Sequence, residues 1–151
     1  MSFLNELINS VVDEDLREQL HERVDIVVHK IKFMDKVPVA CLTKDNKVHS
    51  GLDHLIELAG GEVVDDPLIA KVLIYFEYKT GIAELMSAVI PNLEQEWPAV
   101  TYNHVYLMDD TKVLAKEPQD MVESLEDVAE MLHPGFFVFG NEGKNWINYS
   151  S

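Results

Sequence analysis

Three short apolar runs constrain this chain most: Val37–Leu42 (VPVACL), Val72–Phe76 (VLIYF) and His104–Met108 (HVYLM). Each has the length of a strand and is almost continuously apolar. A strand of that kind has both faces covered, whereas a half-exposed strand alternates apolar with polar residues. The segments between the runs carry apolar residues at steps of three and four, the spacing of helices. Strands alternating with helices imply βαβ units and a mostly parallel sheet. The expected fold class is therefore α/β, a three-layer α-β-α sandwich preceded by a long N-terminal helix.

The helical stripes can be followed along the chain. Leu4, Leu7, Ile8, Val11 and Val12 mark a first helix. Asp13-Glu14-Asp15 opens a second, where acidic residues suit the helix dipole. Leu16, Leu20, Val24, Val27 and Ile31 continue it to near Met34. Leu52, Leu55, Ile56 and Ala59 form a helical face stopped by Gly60-Gly61. Glu62–Val64 reads as a short strand, Asp65-Asp66-Pro67 as a turn, and Leu68–Ala70 as a lead into the strand at Val72. Ile82, Leu85, Met86 and Val89 stripe another helix, closed by Pro91. Met121, Val122, Leu125, Val128, Ala129 and Leu132 stripe the last one, closed by His133-Pro134-Gly135. This divides the chain into N-terminal helices over 1–34, one α/β lobe over 35–139 and a polar tail over 140–151, with Phe136–Phe139 and Trp146 docking on the body.

A chain of 151 residues suits one domain with a real core. Its net charge of −15 argues against a nucleic-acid or anionic-membrane surface, both of which need clustered Lys and Arg. A lone cysteine, Cys41, excludes an internal disulfide and a Cys-rich zinc site, and it falls in an apolar run where an inert thiol is expected. The N-terminus has no basic segment followed by an apolar one, and no stretch has transmembrane length. As written, the chain is expected in the cytoplasm, without membrane insertion.

Motifs for chemistry are sparse. Gly60-Gly61 ends a helix where a phosphate-cradling loop would open one, and no Gly-x-Ser-x-Gly elbow occurs. None of the six histidines forms a zinc-type pair. His49 and His54 straddle a helix start and read better as a solvated loop residue and a helix-surface residue than as metal ligands. His133, at a helix end, reads as a cap. No nucleophile, base and orienting group converge, so no enzyme activity is expected. Parallel sheets bind ligands beyond the carboxyl ends of their strands. Those ends lead into Thr43–His49, Glu77–Thr80 and Asp109–Lys112, all polar and each carrying a lysine. The candidate ligand-binding residues are Thr43, Lys44, His49, Tyr78, Lys79 and Lys112, with Tyr78 suited to stack on a flat ligand.

Three stretches together carry a resemblance. Leu55–Gly61 ends in the letters ELAGG. Trp97–Val100 is followed by His104-Val105-Tyr106 and Asp109. Glu117-Pro118 leads through Ser124-Leu125 and Ala129-Glu130 to Leu132-His133-Pro134. In that order they resemble the C-terminal lobe of the ABC-transporter substrate-binding proteins for vitamin B12, haem and iron-siderophores. The helix from Asp13 to Met34 is similar to the one that joins the two lobes of that family. The resemblance spans roughly residues 14–137. It implies a non-enzymatic binding lobe standing without its N-terminal counterpart, with a corrinoid, haem or ferric chelate as ligand. A homodimer or a separate protein would then complete the cleft. Departures from the family pattern are specific. The Ser-Trp-Glu-like segment that docks on the permease has no counterpart after Gly61, so no docking residue carries over. Gln119 replaces an arginine, and Thr43–Lys47 replaces an aromatic, proline-rich ligand loop. These departures frame the alternative of a structural or protein-interaction domain that kept the lobe and lost its ligand. Relatives of this family are periplasmic or lipid-anchored.

Overall fold

The computed structural model describes residues 3–149; residues 1, 2, 150 and 151 of the expected terminal segments lie outside them. In chain order the elements are α1 (Phe3–Asn9), α2 (Glu14–Ile31), β1 (Val37–Leu42), α3 (Asp53–Leu58), β2 (Gly61–Val63), β3 (Val72–Tyr75), α4 (Ile82–Val89), α5 (Pro98–Thr101), β4 (Val105–Met108), α6 (Thr111–Ala115), α7 (Pro118–Leu132) and β5 (Trp146–Tyr149). The strands form one sheet in the order β2-β1-β3-β4-β5. The first four run parallel and β5 pairs antiparallel with β4.

The period-two alternation of a strand sends its side chains to opposite faces. Val39, Cys41, Ile74, Phe76, Tyr106 and Met108 pack with α1, α2, α3 and α7. Ala40, Leu42, Leu73, Tyr75, Val105 and Leu107 pack with α4, α5 and Trp97. Two apolar layers result, with the sheet between them, as the continuous strand runs require. The N-terminal helices belong to the same core as the sheet: Leu4, Ile8, Leu20 and Val27 are buried in it.

Local chemistry fixes the helix ends. The Asp13 side chain accepts a hydrogen bond from the Leu16 amide at 3.2 Å, capping α2. Arg23 of α2 reaches Glu126 of α7 with two nitrogens, Nε to Oε2 at 3.1 Å, and ties the two helices together. Gly60 ends α3 in the left-handed region at φ +87°, which glycine adopts without strain. His133 ends its own helix α7, its amide donating to the Ala129 carbonyl at 3.0 Å, and its ring caps a second helix. Its Nε2 lies 2.8 Å from the carbonyl of Ala59, at the end of α3. A carbonyl only accepts, so Nε2 carries the proton.

Two expectations are corrected. Leu68 and Ile69 do not lead into β3; they form an exposed turn, because Asp66 holds the Leu68 amide at 2.9 Å. The segment after Gly140 is also not simply a polar tail. Trp146–Tyr149 form an edge strand on β4, and the Trp146 ring is buried against Tyr106. Asn141 and Asn145 hold the approach to that strand through Asp127 of α7, at 3.1 and 3.0 Å.

No helix among the described residues is long and apolar enough to cross a membrane.

Candidate functional site

The strand order reverses at β1. The chain leaves β1 for β2 through α3 on one face of the sheet, and leaves β3 for β4 through α4 on the other. The carboxyl ends of β1 and β3 therefore splay apart at a topological switch point, where open parallel sheets build ligand sites.

The loop after β1 does not hang free. It folds back as a tight hairpin, with Leu42 bridged antiparallel to Val48. The Thr43 amide donates to the Lys47 carbonyl at 2.7 Å, and the His49 amide donates to the Cys41 carbonyl at 2.9 Å. The Thr43 hydroxyl accepts from the amides of Asp45 and Lys47, both at 3.3 Å, so it is engaged within the turn. Asn46 sits in the left-handed region at φ 61°, which asparagine tolerates. Its Oδ1 accepts a 2.6 Å hydrogen bond from the hydroxyl of Tyr75, whose ring is buried in the sheet. Sequence reasoning missed this lock; the Asp45-Asn46 turn pair was the available signal.

The hairpin delivers His49 to two rings of the loop after β3. His49 lies edge-on to Phe76 at 5.1 Å and to Tyr78 at 5.0 Å, and Phe76 meets Tyr78 at 5.3 Å. The ring of His49 is half-buried, not solvated as expected. Burial lowers its pKa below the ordinary histidine range, with Glu77 and Asp53 opposing. The Gly51 amide donates to His49 Nδ1 at 2.9 Å, so the neutral ring keeps its proton on Nε2. Gly51 lets the two rings approach: a Cβ there would stand 2.6 Å from His49 Cε1 and 2.7 Å from the Tyr78 hydroxyl, so the rings would have to shift. Asp53, first residue of α3, adds a buried Oδ1 with no hydrogen-bond partner among the described residues. Burial, then Glu57, raises its pKa. The switch point thus presents the exposed Tyr78 and the half-buried His49 with its neutral N–H, backed by the buried Phe76 ring and the buried Asp53 oxygen.

The remaining candidate residues have other engagements. Lys44 pairs with Glu77 at 3.3 Å. Lys112 is held by Glu123 at 2.8 Å and Asp120 at 3.4 Å on α7, away from the ring cluster. Lys79 is exposed and adopts φ 61°, while its amide donates to the buried carboxylate of Asp110. Asp110, at the end of β4, thereby fixes the loop that carries Tyr78. His54 is drawn elsewhere, its Nε2 accepting from the Leu4 amide at 3.4 Å. Among the described residues no group of three His, Cys, Asp or Glu side chains is arranged to hold a metal ion.

No family model matches the sequence, and no curated protein matches it. Solved structures do. The TroA-like periplasmic binding protein FepB from Veillonella parvula superposes with a TM-score of 0.58 at 16% identity, over 82% of this chain and 48% of that one. A periplasmic binding protein from Veillonella parvula dsm 2008 gives 0.56 at 14% identity, over 80% of this chain and 51% of that one. The chain spans about half the length of each. At such identities the likeness is one of fold, and at that level the sequence resemblance holds: this chain has the fold of one half of a TroA-like periplasmic binding protein.

Proposed function

We propose that this protein is a non-enzymatic binding lobe that takes a small planar or chelated ligand, of the corrinoid, haem or ferric-chelate class, at the switch point of its sheet. The observation that carries the reading is the meeting of His49, Phe76 and Tyr78 where β1 and β3 diverge. Aromatic faces attract flat conjugated ligands. The His49 Nε2–H supplies a hydrogen-bond donor beside the aromatic faces. Two of the four loop lysines, Lys44 and Lys112, are already paired with carboxylates, which reduces the positive field of the loops. Recognition then rests on stacking and hydrogen bonding more than on charge. Because the chain spans about half of its structural neighbours, one lobe offers one wall of a cleft. A second copy, or a separate protein, supplies the other wall.

The test is a thermal-shift and absorbance titration with cyanocobalamin, hemin and a ferric siderophore, using the intact protein. A ligand that binds only the folded state raises the melting temperature as its concentration passes Kd. Saturable binding by one of the three is expected, weakened about tenfold or more in Tyr78→Ala, the loss expected when an aromatic contact is removed. Absence of a shift with all three ligands would instead leave a lobe that has kept the fold and lost the ligand.

A further inference from the structure

A cavity opens at the opposite edge of the sheet. It lies outside the amino ends of β1, β3 and β4, far from the switch point, with a volume of about 570 Å³. That is within the usual span for small-molecule sites, roughly 300–1,000 Å³. Its floor is apolar, made by Val37, Val72 and Leu132. Ile69 and Tyr102 line it while being 61% and 70% exposed, so large apolar surface stands open to water at its mouth. Isolated exposed apolar residues are ordinary, but two flanking one apolar hollow mark a binding surface.

Charge identifies the occupant. Acidic residues outnumber basic ones 27 to 12 in this chain, yet none lines the cavity. The lining residues with polar side chains are Lys71, His104 and Tyr102, each able to donate a hydrogen bond. Among the described residues none of the three makes a side-chain hydrogen bond or an ion pair. An apolar hollow with an uncompensated ammonium at its wall complements one kind of molecule: an apolar body ending in a single anion.

From the juxtaposition of this apolar floor with Lys71 and His104 we propose a binding site for a small amphipathic monocarboxylate. The apolar tail covers Val37, Val72 and Leu132, and the carboxylate meets the Lys71 ammonium at the rim. This site is independent of the reading given to the switch point.

The test uses decanoate as the probe and decanol as its uncharged control, below their aggregation limits. Titrations are followed by calorimetry and by tryptophan fluorescence, since Trp97 adjoins the lining residue Pro98. Decanoate is expected to bind saturably at one site per chain and more tightly than decanol. Lys71→Met keeps the apolar stem and removes the charge; it is expected to weaken decanoate about tenfold, the loss of one charge-assisted hydrogen bond, and to leave decanol unchanged. Lys47→Met, at the other edge, is expected to change neither. Val37→Phe, which fills the hollow, is expected to weaken both probes, with circular dichroism confirming its fold. Absence of saturable binding, equal affinity for the two probes, or a Lys71→Met response no larger than that of Lys47→Met would overturn the proposal. Tyr78→Ala leaves decanoate binding intact if the two sites are separate; a loss there would equally overturn it.

Discussion

Asp127 is completely buried in α7, yet it is the residue to which Asn141 and Asn145 attach the approach to β5. Burial raises its pKa to about 7, outweighing the hydrogen bonds from the two asparagines, which act the other way. The unfolded chain releases this proton near pH ~4. Between the two values the folded state binds a proton that the unfolded state has lost, so stability falls as pH rises through that interval. It levels off once Asp127 is ionised in both states. Glu123 and Glu130, which face the same segment through Asn145 and the Phe139 amide, reinforce the shift. Asp127→Asn removes the titration. The expected outcome is a variant whose melting temperature, relative to wild type, rises between about pH 4 and pH 7 and is then constant. Thermal melts across that range check it. Taking the difference between the two proteins cancels His49, whose lowered pKa makes stability fall as pH drops below the ordinary histidine value.

Among the elements, α2 and α7 form the longest pair on the sheet, and Arg23 with Glu126 is the polar contact between them. Both side chains are largely shielded from solvent. Removing one partner strands the other, which costs more than an exposed ion pair is worth. Arg23→Ala is expected to destabilise the fold by about 2 kcal/mol in urea unfolding, with an unchanged dependence on denaturant. Elements also mark how far the sequence could be read. β1, β3, β4 and the longer helices α2, α3, α4 and α7 were legible because continuous apolar runs and three-to-four spacing are local signals, whereas the one-turn helices α5 and α6 read as turn and loop. β5 was not. Its four residues follow a Gly- and Asn-rich stretch, only Trp146 is fully buried, and its pairing partner lies some forty residues earlier, as in Trp146 with Met108. The candidate site divides in the same way. The polar loops beyond β1, β3 and β4 could be read from strand ends. The meeting of His49 with Phe76 and Tyr78 could not, since it depends on a hairpin locked by Asn46 and Tyr75. Nor could the neutralisation of Lys112 by α7, which lies in a separate element.

At the scale of the whole molecule, if the lobe is one wall of a cleft as proposed, a charge of −15 sets two opposing conditions for closing it. A second copy is the simplest wall to supply, since symmetric dimers are the commonest oligomers. Like charge resists that approach and is screened by salt. Should two copies share one ligand, scattering mass rises from 17.2 kDa to about twice that on adding ligand, at one ligand for every two chains. The association is expected to strengthen with added salt, the reverse of a pairing driven by opposite charges. Sedimentation with and without ligand at two ionic strengths measures both. A ligated monomer at every concentration would exclude a shared site.

The strand order has a consequence for how such a surface recognises anything. β1 and β3 are interior strands, each hydrogen-bonded to a neighbour on either side. Tyr78 follows closely on the end of β3, the His49 amide is bonded back to Cys41 of β1, and the Tyr75–Asn46 bond fastens the hairpin between. The rings are consequently mounted on the part of the backbone with the least freedom left to lose. A ligand meeting them gains its contacts without first having to order the loops that make them, so little conformational entropy opposes the encounter.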